Sequence, residues 1–347
     1  MAQIAIIGAG VAGLAAGQEL IRHGHRVTVY EKSRGLGGRV ATRRVAGFHF
    51  DHGAQYVKAP TPDIAALLGD AVDIGRDVWT FDGAGAVAPG DPAQNADPKW
   101  IWPGGVNALG KALATGLAVR RETHVARLAQ TAGGYRLYSP DDAPLGDADA
   151  VLLTPPAPQT AAIIAASDLA PALQQSLVAE LARAVYRRCI TVTLAYAQRP
   201  ATPWYALVNV DRRHPVSWLA CEHVKPGYAP EGSGLIMLQM ADAWSTTHWD
   251  ALAKGTLAPD ALPAAVLEAH GYAEALTGAA LGQPLWADLH RWRYALPDAG
   301  CNEPTLNGTG SGLYFAGDYV AGQGRVHLAI ASGRAVAERM HRDNAAG

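Results

Sequence analysis

The stretch from Gln3 to Glu31 constrains this chain more than any other. The apolar run Gln3-Ile4-Ala5-Ile6-Ile7 enters Gly8-Ala9-Gly10-Val11-Ala12-Gly13, a helical pattern follows, and Arg26-Val27-Thr28-Val29-Tyr30 ends on Glu31. Strand, glycine turn, helix, strand and acidic residue in that order are the context of a dinucleotide-binding unit. Gly8 allows the tight turn, Gly10 lets backbone approach a pyrophosphate, and Gly13 lets the helix pack close to the strand. Val11, Ala12 and Gly13 open a helix whose free N–H groups and partial positive charge suit phosphates. Glu31, eighteen positions after Gly13, falls where a carboxylate reaches an adenosine ribose hydroxyl and repels a 2′-phosphate.

The next residues separate one dinucleotide from another. Lys32-Ser33-Arg34-Gly35-Leu36-Gly37-Gly38-Arg39 is a second glycine cluster, where an NAD dehydrogenase would continue into an amphipathic helix. Gly37 and Gly38 allow close approach, and Arg34 and Arg39 can fork onto phosphate oxygens. The pattern resembles the FAD site of the flavin-containing amine oxidase superfamily. That resemblance gives meaning to Gly312-Leu313-Tyr314-Phe315-Ala316-Gly317-Asp318, an apolar strand followed by a helix beginning near Val326 and running to about His341. It implies that Gly317 and Asp318 face the ribityl and pyrophosphate region. It implies that Arg325, Val326, His327 and Leu328, at the helix start, face the flavin pyrimidine. A helix N-terminus there would stabilise the negative charge of reduced flavin.

Composition excludes several classes. With 49% hydrophobic and 17% charged residues, the chain reads as a folded enzyme of two lobes. Net charge is −2 without a basic cluster, which argues against nucleic acid and anionic membranes as partners. The apolar run from Ala5 to Ala16 is broken by three glycines and is too short for a span. No signal peptide is read, so a cytoplasmic location is expected. Cys189, Cys221 and Cys301 form no C-x-x-C pair and the histidines no H-E-x-x-H, so free thiols and no metal are expected.

Along the chain, helices are expected at Pro62 to Leu68 and Asn107 to Thr115, with an exposed loop from Asp82 through Pro98. Leu117 to Arg121, Val125 to Gln130, Tyr135 to Tyr138 and Ala150 to Leu153 read as strands. Alternating runs at Cys189 to Leu194, Val216 to Ala220, Leu235 to Met240 and Leu285 to Tyr294 predict an antiparallel sheet. Helices at Asp242 to Trp249 and Pro259 to His270 would cover it. The expected fold is α/β: an FAD-binding Rossmann-like domain of the glutathione-reductase type with an inserted, mostly antiparallel α+β substrate domain. The FAD-binding parts are expected at 1–75, 105–180 and 297–347, with a substrate-domain excursion at 76–104 and the substrate domain proper at 181–296.

Taken together the segments resemble the renalase-like branch of that superfamily. The resemblance is carried by Gly8 to Gly13, Glu31 to Arg39, Asp51-His52-Gly53-Ala54-Gln55-Tyr56, Trp102 to Leu109, Lys225-Pro226-Gly227, His290-Arg291-Trp292-Arg293-Tyr294-Ala295 and Gly317-Asp318. It implies non-covalent FAD, with Gly53, Ala54, Gln55 and Tyr56 passing beside the flavin and Val125 bonding adenine through its backbone. His124 is expected at the surface. Trp292 and Tyr294 alternate with Arg291 and Arg293, so the rings share one face of a strand, either packed or lining a cavity. The chain departs from the branch at His327, where an acidic residue is usual. It also has no convincing counterpart of the superfamily's catalytic lysine, and Lys225, in a Lys-Pro-Gly turn, is expected to be a solvated loop residue.

The implied chemistry is hydride transfer from a substrate carbon to flavin N5, with reoxidation by O₂ to hydrogen peroxide. The resemblance implies aberrant dihydro-NAD(P) isomers as substrates, with His327, Gln55, Trp292 and Tyr294 as the candidate catalytic residues. Alternatives are an amine oxidase or desaturase acting on a small amine or apolar molecule, and a redox-inert flavoprotein that binds a partner.

Overall fold

The computed structural model describes residues 1–346. They divide into two compact units, each built from several stretches of chain. The first contains Met1–Val40, Asn107–Tyr186 and residues from Leu296 onward; the second contains Ala41–Val106 and Arg187–Ala295.

The first unit is organised on a five-stranded parallel sheet in the order Leu313–Phe315, Ala150–Leu153, Gln3–Ile7, Arg26–Tyr30, Ala118–Arg120. The central strands carry near-continuous apolar runs because both faces are buried, as parallel sheets require. Helix Val11–Arg22 leaves the first strand through the glycine turn and buries Val11, Ala12, Leu14, Ala15, Ala16 and Leu20. It stops at His23, after which Gly24 takes the left-handed conformation that closes a helix without a Cβ penalty. Arg127–Thr131, Gly134–Tyr138 and Pro144–Ala148 form a separate antiparallel sheet. Tyr135 and Leu137 join it to the core of Ala5, Ile7, Val151, Leu153 and Phe315. The long helix Val326–Ala346 extends past the His341 end read from sequence. Its Gly333 lies so close to helix Val11–Arg22 that a Cβ would collide with the Ala12 carbonyl.

The second unit is built on an eight-stranded sheet. Its order is Gly255–Leu257, Trp286–Ala299, Val185–Tyr196, Gly234–Met240, Val216–Cys221, Ala206–Asn209, Val78–Phe81, Val87–Ala88. The expected antiparallel pairing holds at Val185–Tyr196 with Gly234–Met240 and at Val216–Cys221 with Gly234–Met240. Ala206–Asn209, a strand not singled out from the sequence, runs parallel to Val78–Phe81. The stretch 82–98, read as a loop, contains a returning strand and the helix Pro92–Ala96, capped by the Asp91 carboxylate on the Ala93 N–H. The helix expected from Pro259 to His270 is two elements. A 3₁₀ turn, Pro259–Ala261, precedes Ala264–Thr277, and Pro263 stands at the N-cap because it cannot lie inside the helix. The helix expected to reach Leu68 ends at Ala65.

Residues 41–75 were expected with the nucleotide-binding parts, yet they group with the second unit from Ala41 on. The reason is packing: hairpin Thr42–Val45 and Phe48–Asp51 inserts Phe48 and Phe50 among Ala195, Leu235 and Trp286.

Candidate cofactor and substrate sites

In the first unit the glycine turn shows which glycines the fold demands. Gly8 has φ +99°, open to glycine alone without strain. A Cβ on Gly13 would collide with the Gly8 carbonyl, so Gly13 is required for packing. Gly10 differs. Its φ of −72° and ψ of 169° suit any residue, and a Cβ there meets nothing within 4 Å. Folding does not require glycine at this position, so the space over it fits a group that is not protein. Gly10 is also the N-cap of Val11–Arg22 and has no side chain to cap the first-turn N–H groups, which have no intrahelical partner. Open space above free donors at a helix N-terminus is a phosphate cradle, and the residues present fit a dinucleotide such as FAD.

The second glycine cluster has a physical reason the sequence did not reveal. Gly37 donates its N–H to the Ala9 carbonyl at 2.8 Å, and a Cβ on Gly38 would come 3.3 Å from Gly10 Cα. A Cβ on Gly110 would lie 2.7 Å from Gly37 Cα. The pair Gly37-Gly38 therefore lets one loop seat directly on the glycine turn, whatever else approaches it.

Glu31 is buried at the end of its strand. Its Oε2 accepts from the Ala9 N–H at 2.8 Å, and Oε1 accepts from the Ser33 N–H at 2.8 Å and the Ser33 hydroxyl at 2.5 Å. Lys32 and Arg34 are exposed, Lys32 donating to Gln159 Oε1. Arg39 turns inward onto Asp318, with Nη1 to Oδ2 at 2.5 Å, and Tyr186 donates its hydroxyl to Asp318 Oδ1 at 2.9 Å. Burial, with Asp318 beside it, pushes the Tyr186 phenol up. Gly317, at φ +131°, donates its N–H to Ser332 Oγ on the long helix. At the start of that helix Arg325 is exposed, while Val326, His327 and Leu328 are half-buried. Val125 is buried in the core of this unit and His124 is exposed.

The second unit holds the feature that sequence reading missed. Lys225, expected in solvent, is fully buried. Its ammonium donates to Asp51 Oδ2 at 2.9 Å, to the Gln55 carbonyl at 2.8 Å and to Glu222 Oε2 at 3.0 Å. Asp51 also accepts from the Tyr228 hydroxyl at 2.6 Å, the Thr42 hydroxyl at 2.6 Å and the Val106 N–H at 3.1 Å. Glu222 accepts from the Tyr205 hydroxyl at 3.0 Å and the Asp51 N–H at 3.0 Å. Burial raises the Glu222 carboxyl, and Lys225 opposes that rise. A Lys-Pro-Gly turn looks solvated because lysine is rarely buried, but a buried lysine is tolerated when its donors are all paired. The signal available was Glu222 three residues before Lys225, together with an acidic Asp51 directly after Phe50 at the end of a strand.

Gln55 belongs to the same network. Its amide donates to the Asp51 and Gly53 carbonyls, and its Oε1 accepts from Tyr205 at 3.3 Å. Gly53 and Ala54 are half-buried, the Gly53 carbonyl also accepting from Gln239 at 2.8 Å. Tyr56 lies 6.2 Å from the Trp218 ring. Trp292 donates its indole N–H to the His52 carbonyl at 2.8 Å and stacks on the His52 ring at 5.3 Å, with His290 4.2 Å from it. Arg291, on the opposite face, donates to the Trp249 carbonyl at 2.6 Å, in keeping with the alternation. Tyr294 is half-buried on the Trp292 side of the strand. Burial lowers His52 to about 3 and His290 to about 4, so both rings are neutral at pH 7. His52 Nδ1 is buried without a hydrogen-bond partner among the described residues.

A family model for flavin-containing amine oxidoreductases matches residues 75–341, and an NAD(P)-binding Rossmann-like model matches residues 6–71. The chain belongs to the flavin-containing amine oxidoreductase family. That family is one of flavin-containing oxidoreductases, and the chain has the α/β fold expected from sequence. The "Putative flavin-containing monoamine oxidase AofH" of Mycobacterium tuberculosis is 46% identical over 72 residues, covering 21% of this chain and 15% of that protein. A 4,4'-diapophytoene desaturase of Staphylococcus aureus is 40% identical over 81 residues, covering 23% of this chain and 14% of the relative. The chain thus matches only a small part of the length of these curated relatives. Among solved structures, cyclohexylamine oxidase from Brevibacterium oxydans superposes with a TM-score of 0.74 at 16% identity, covering 99% of both chains. A fatty acid isomerase from P. acnes superposes with a TM-score of 0.69 at 15% identity, covering 97% of this chain and 98% of the other. Likenesses at such identity concern the fold. No helix among the described residues is long and apolar enough to cross a membrane.

Proposed function

We propose that this family member is a renalase-like oxidase that removes hydride from a dihydronicotinamide reduced at the wrong ring carbon. FAD, when bound, would supply the acceptor for the hydride and the means of reducing O₂, with a proton from solvent, to hydrogen peroxide. The chain's own residues bind and orient. Gly10 leaves room for the pyrophosphate, the N–H groups of Val11, Ala12 and Gly13 hold it, and Glu31 would take ribose hydroxyls on its remaining lone pairs. Asp318, kept in place by Arg39 and Tyr186, offers a second carboxylate, and no cysteine is assigned to covalent attachment. The N-terminus of the long helix, with His327, would stabilise negative charge on the reduced cofactor.

The observation that carries the substrate reading is the wall of His52, His290 and Trp292. These three rings lie within 5.3 Å of one another and carry no charge at neutral pH. His52 and Trp292 are stacked with His290 set at an angle to both, and an uncharged planar surface of this kind supports the reading of a flat neutral heterocycle laid against it. Tyr294 and Gln55 are assigned to the same substrate side. Anaerobic mixing with 2- or 6-dihydro-NAD(P) should bleach the flavin within the dead time to seconds, and aerobic turnover should release peroxide. Bleaching by a primary amine but not by these nucleotides would move the enzyme to the amine oxidase or desaturase reading. Absence of peroxide with every reductant would favour a redox-inert flavoprotein.

A further inference from the structure

Away from the proposed cofactor cradle, the far end of helix Val11–Arg22 meets the long helix Val326–Ala346 in a cluster of histidines and carboxylates. Glu19 and His23 stand one turn apart on the first helix and at its C-cap, and Glu338 faces them from the second. His23 Nε2 lies 2.9 Å from Glu338 Oε1 and 3.7 Å from Glu19 Oε1, and one ligand atom of each of the three residues falls within 4.8 Å of the other two. We propose that Glu19, His23 and Glu338 form a binding site for a divalent transition-metal ion of the zinc class, which would tie the two helices together.

Three arguments support it. A tetrahedral ion with bonds of about 2.0–2.1 Å needs ligand atoms roughly 3.3–3.5 Å apart, a spacing these side chains reach by small rotations. The two carboxylates converge at the C-terminal end of Val11–Arg22, where the helix dipole is itself negative, so a cation is favoured there. The His23 ring is also held in place by a stacked neighbour. The His341 ring stacks on His23 at 4.0 Å with planes 11° apart, and His341 Nδ1 lies 3.1 Å from His25 Nε2. His25 in turn accepts the Ala2 N–H at Nδ1. The His25–His341 contact holds the His341 ring against His23. The competing occupant is Arg22, which pairs with Glu19 Oε2 but is largely exposed and free to swing away. Imidazole with two carboxylates selects zinc-class ions over magnesium, which prefers an all-oxygen shell.

The test is calorimetric titration of tag-free, FAD-loaded protein with zinc chloride. One ion per chain is expected, with affinity lowered at least tenfold by His23→Ala and by Glu338→Gln. Glu338 is partly exposed, so its replacement leaves the fold intact; thermal melting without metal checks this for both variants. Cobalt(II) should give a spectrum of nitrogen and oxygen ligation. No zinc binding by the wild type, equal binding by the variants, or a thiolate charge-transfer band with cobalt would each overturn the proposal.

Discussion

Glu31 and Asp51 each follow or end a short apolar strand, and the contrast between them separates the two units. Glu31 is held by near neighbours, Ala9 across the turn and Ser33 two residues on, and keeps capacity to accept from a ligand. Asp51 is fully committed to protein donors brought from Thr42, Val106, Lys225 and Tyr228. A carboxylate built to receive something outside the protein is supported locally, whereas one that organises the interior is supported by distant segments. On the proposed reading the first is a binding group, whereas the second is a construction joint.

The sharpest way to break that contrast is Lys225→Met, which leaves Asp51 and Glu222 buried without their counter-charge. A loss of about 3–5 kcal/mol in unfolding free energy is expected, read from urea denaturation. A triple change that also makes Asp51→Asn and Glu222→Gln should recover most of it. A loss under about 1 kcal/mol for the single variant, typical of an exposed pair, would show that the network is solvated.

Glu31→Ala tests the other side. Charge-assisted hydrogen bonds are worth about 1.5–3 kcal/mol, so FAD should bind roughly ten- to a hundredfold more weakly by equilibrium dialysis. The apoprotein's unfolding midpoint should move much less than in Lys225→Met. Equal damage to both would erase the distinction.

Acid offers a third probe. His52, His223 and His290 are lowered by burial to about 3, 4 and 4. The unfolded chain therefore binds more protons than the folded one between these values and the ordinary histidine range. Stability is fully present above about pH 6.5 and falls as pH drops toward 4, by at most about 1.4 kcal/mol per pH unit for each group. Urea midpoints between pH 7 and 5 should show this slope, and His290→Gln should flatten it. The smallest effect is expected at His327→Ala: FAD stays bound, and flavin reduction between pH 6 and 8 changes by well under the roughly hundredfold of a lost general base. A rate identical to wild type across that range would make His327 structural.

The glycine turn, both central strands and the acidic residue are legible from sequence because each requirement there is local. Gly8 needs its φ, Gly13 its packing, and the strands their apolar runs. Gly37-Gly38 reads only as room for phosphate, since nothing in the sequence shows that this loop seats on Gly10 and Gly110. Lys225 misleads for the same reason. Its partners Asp51 and Gln55 lie far away along the chain, and a period or a turn signal carries no information about them. The parallel pairing of Ala206–Asn209 with Val78–Phe81 is likewise non-local.

The interleaved order of the two units has a consequence for biosynthesis. Strand Gln3–Ile7 and the glycine turn leave the ribosome before the second unit, but the edge strand Leu313–Phe315, Asp318 and the long helix packed on Ala12 follow only after all of it. The half-built nucleotide domain must therefore wait, with a raw sheet edge and an uncovered helix face, while the other unit is made. A stalled or prematurely terminated chain would expose that edge to other nascent chains, so chaperone demand should concentrate in the interval before residue 313 is translated.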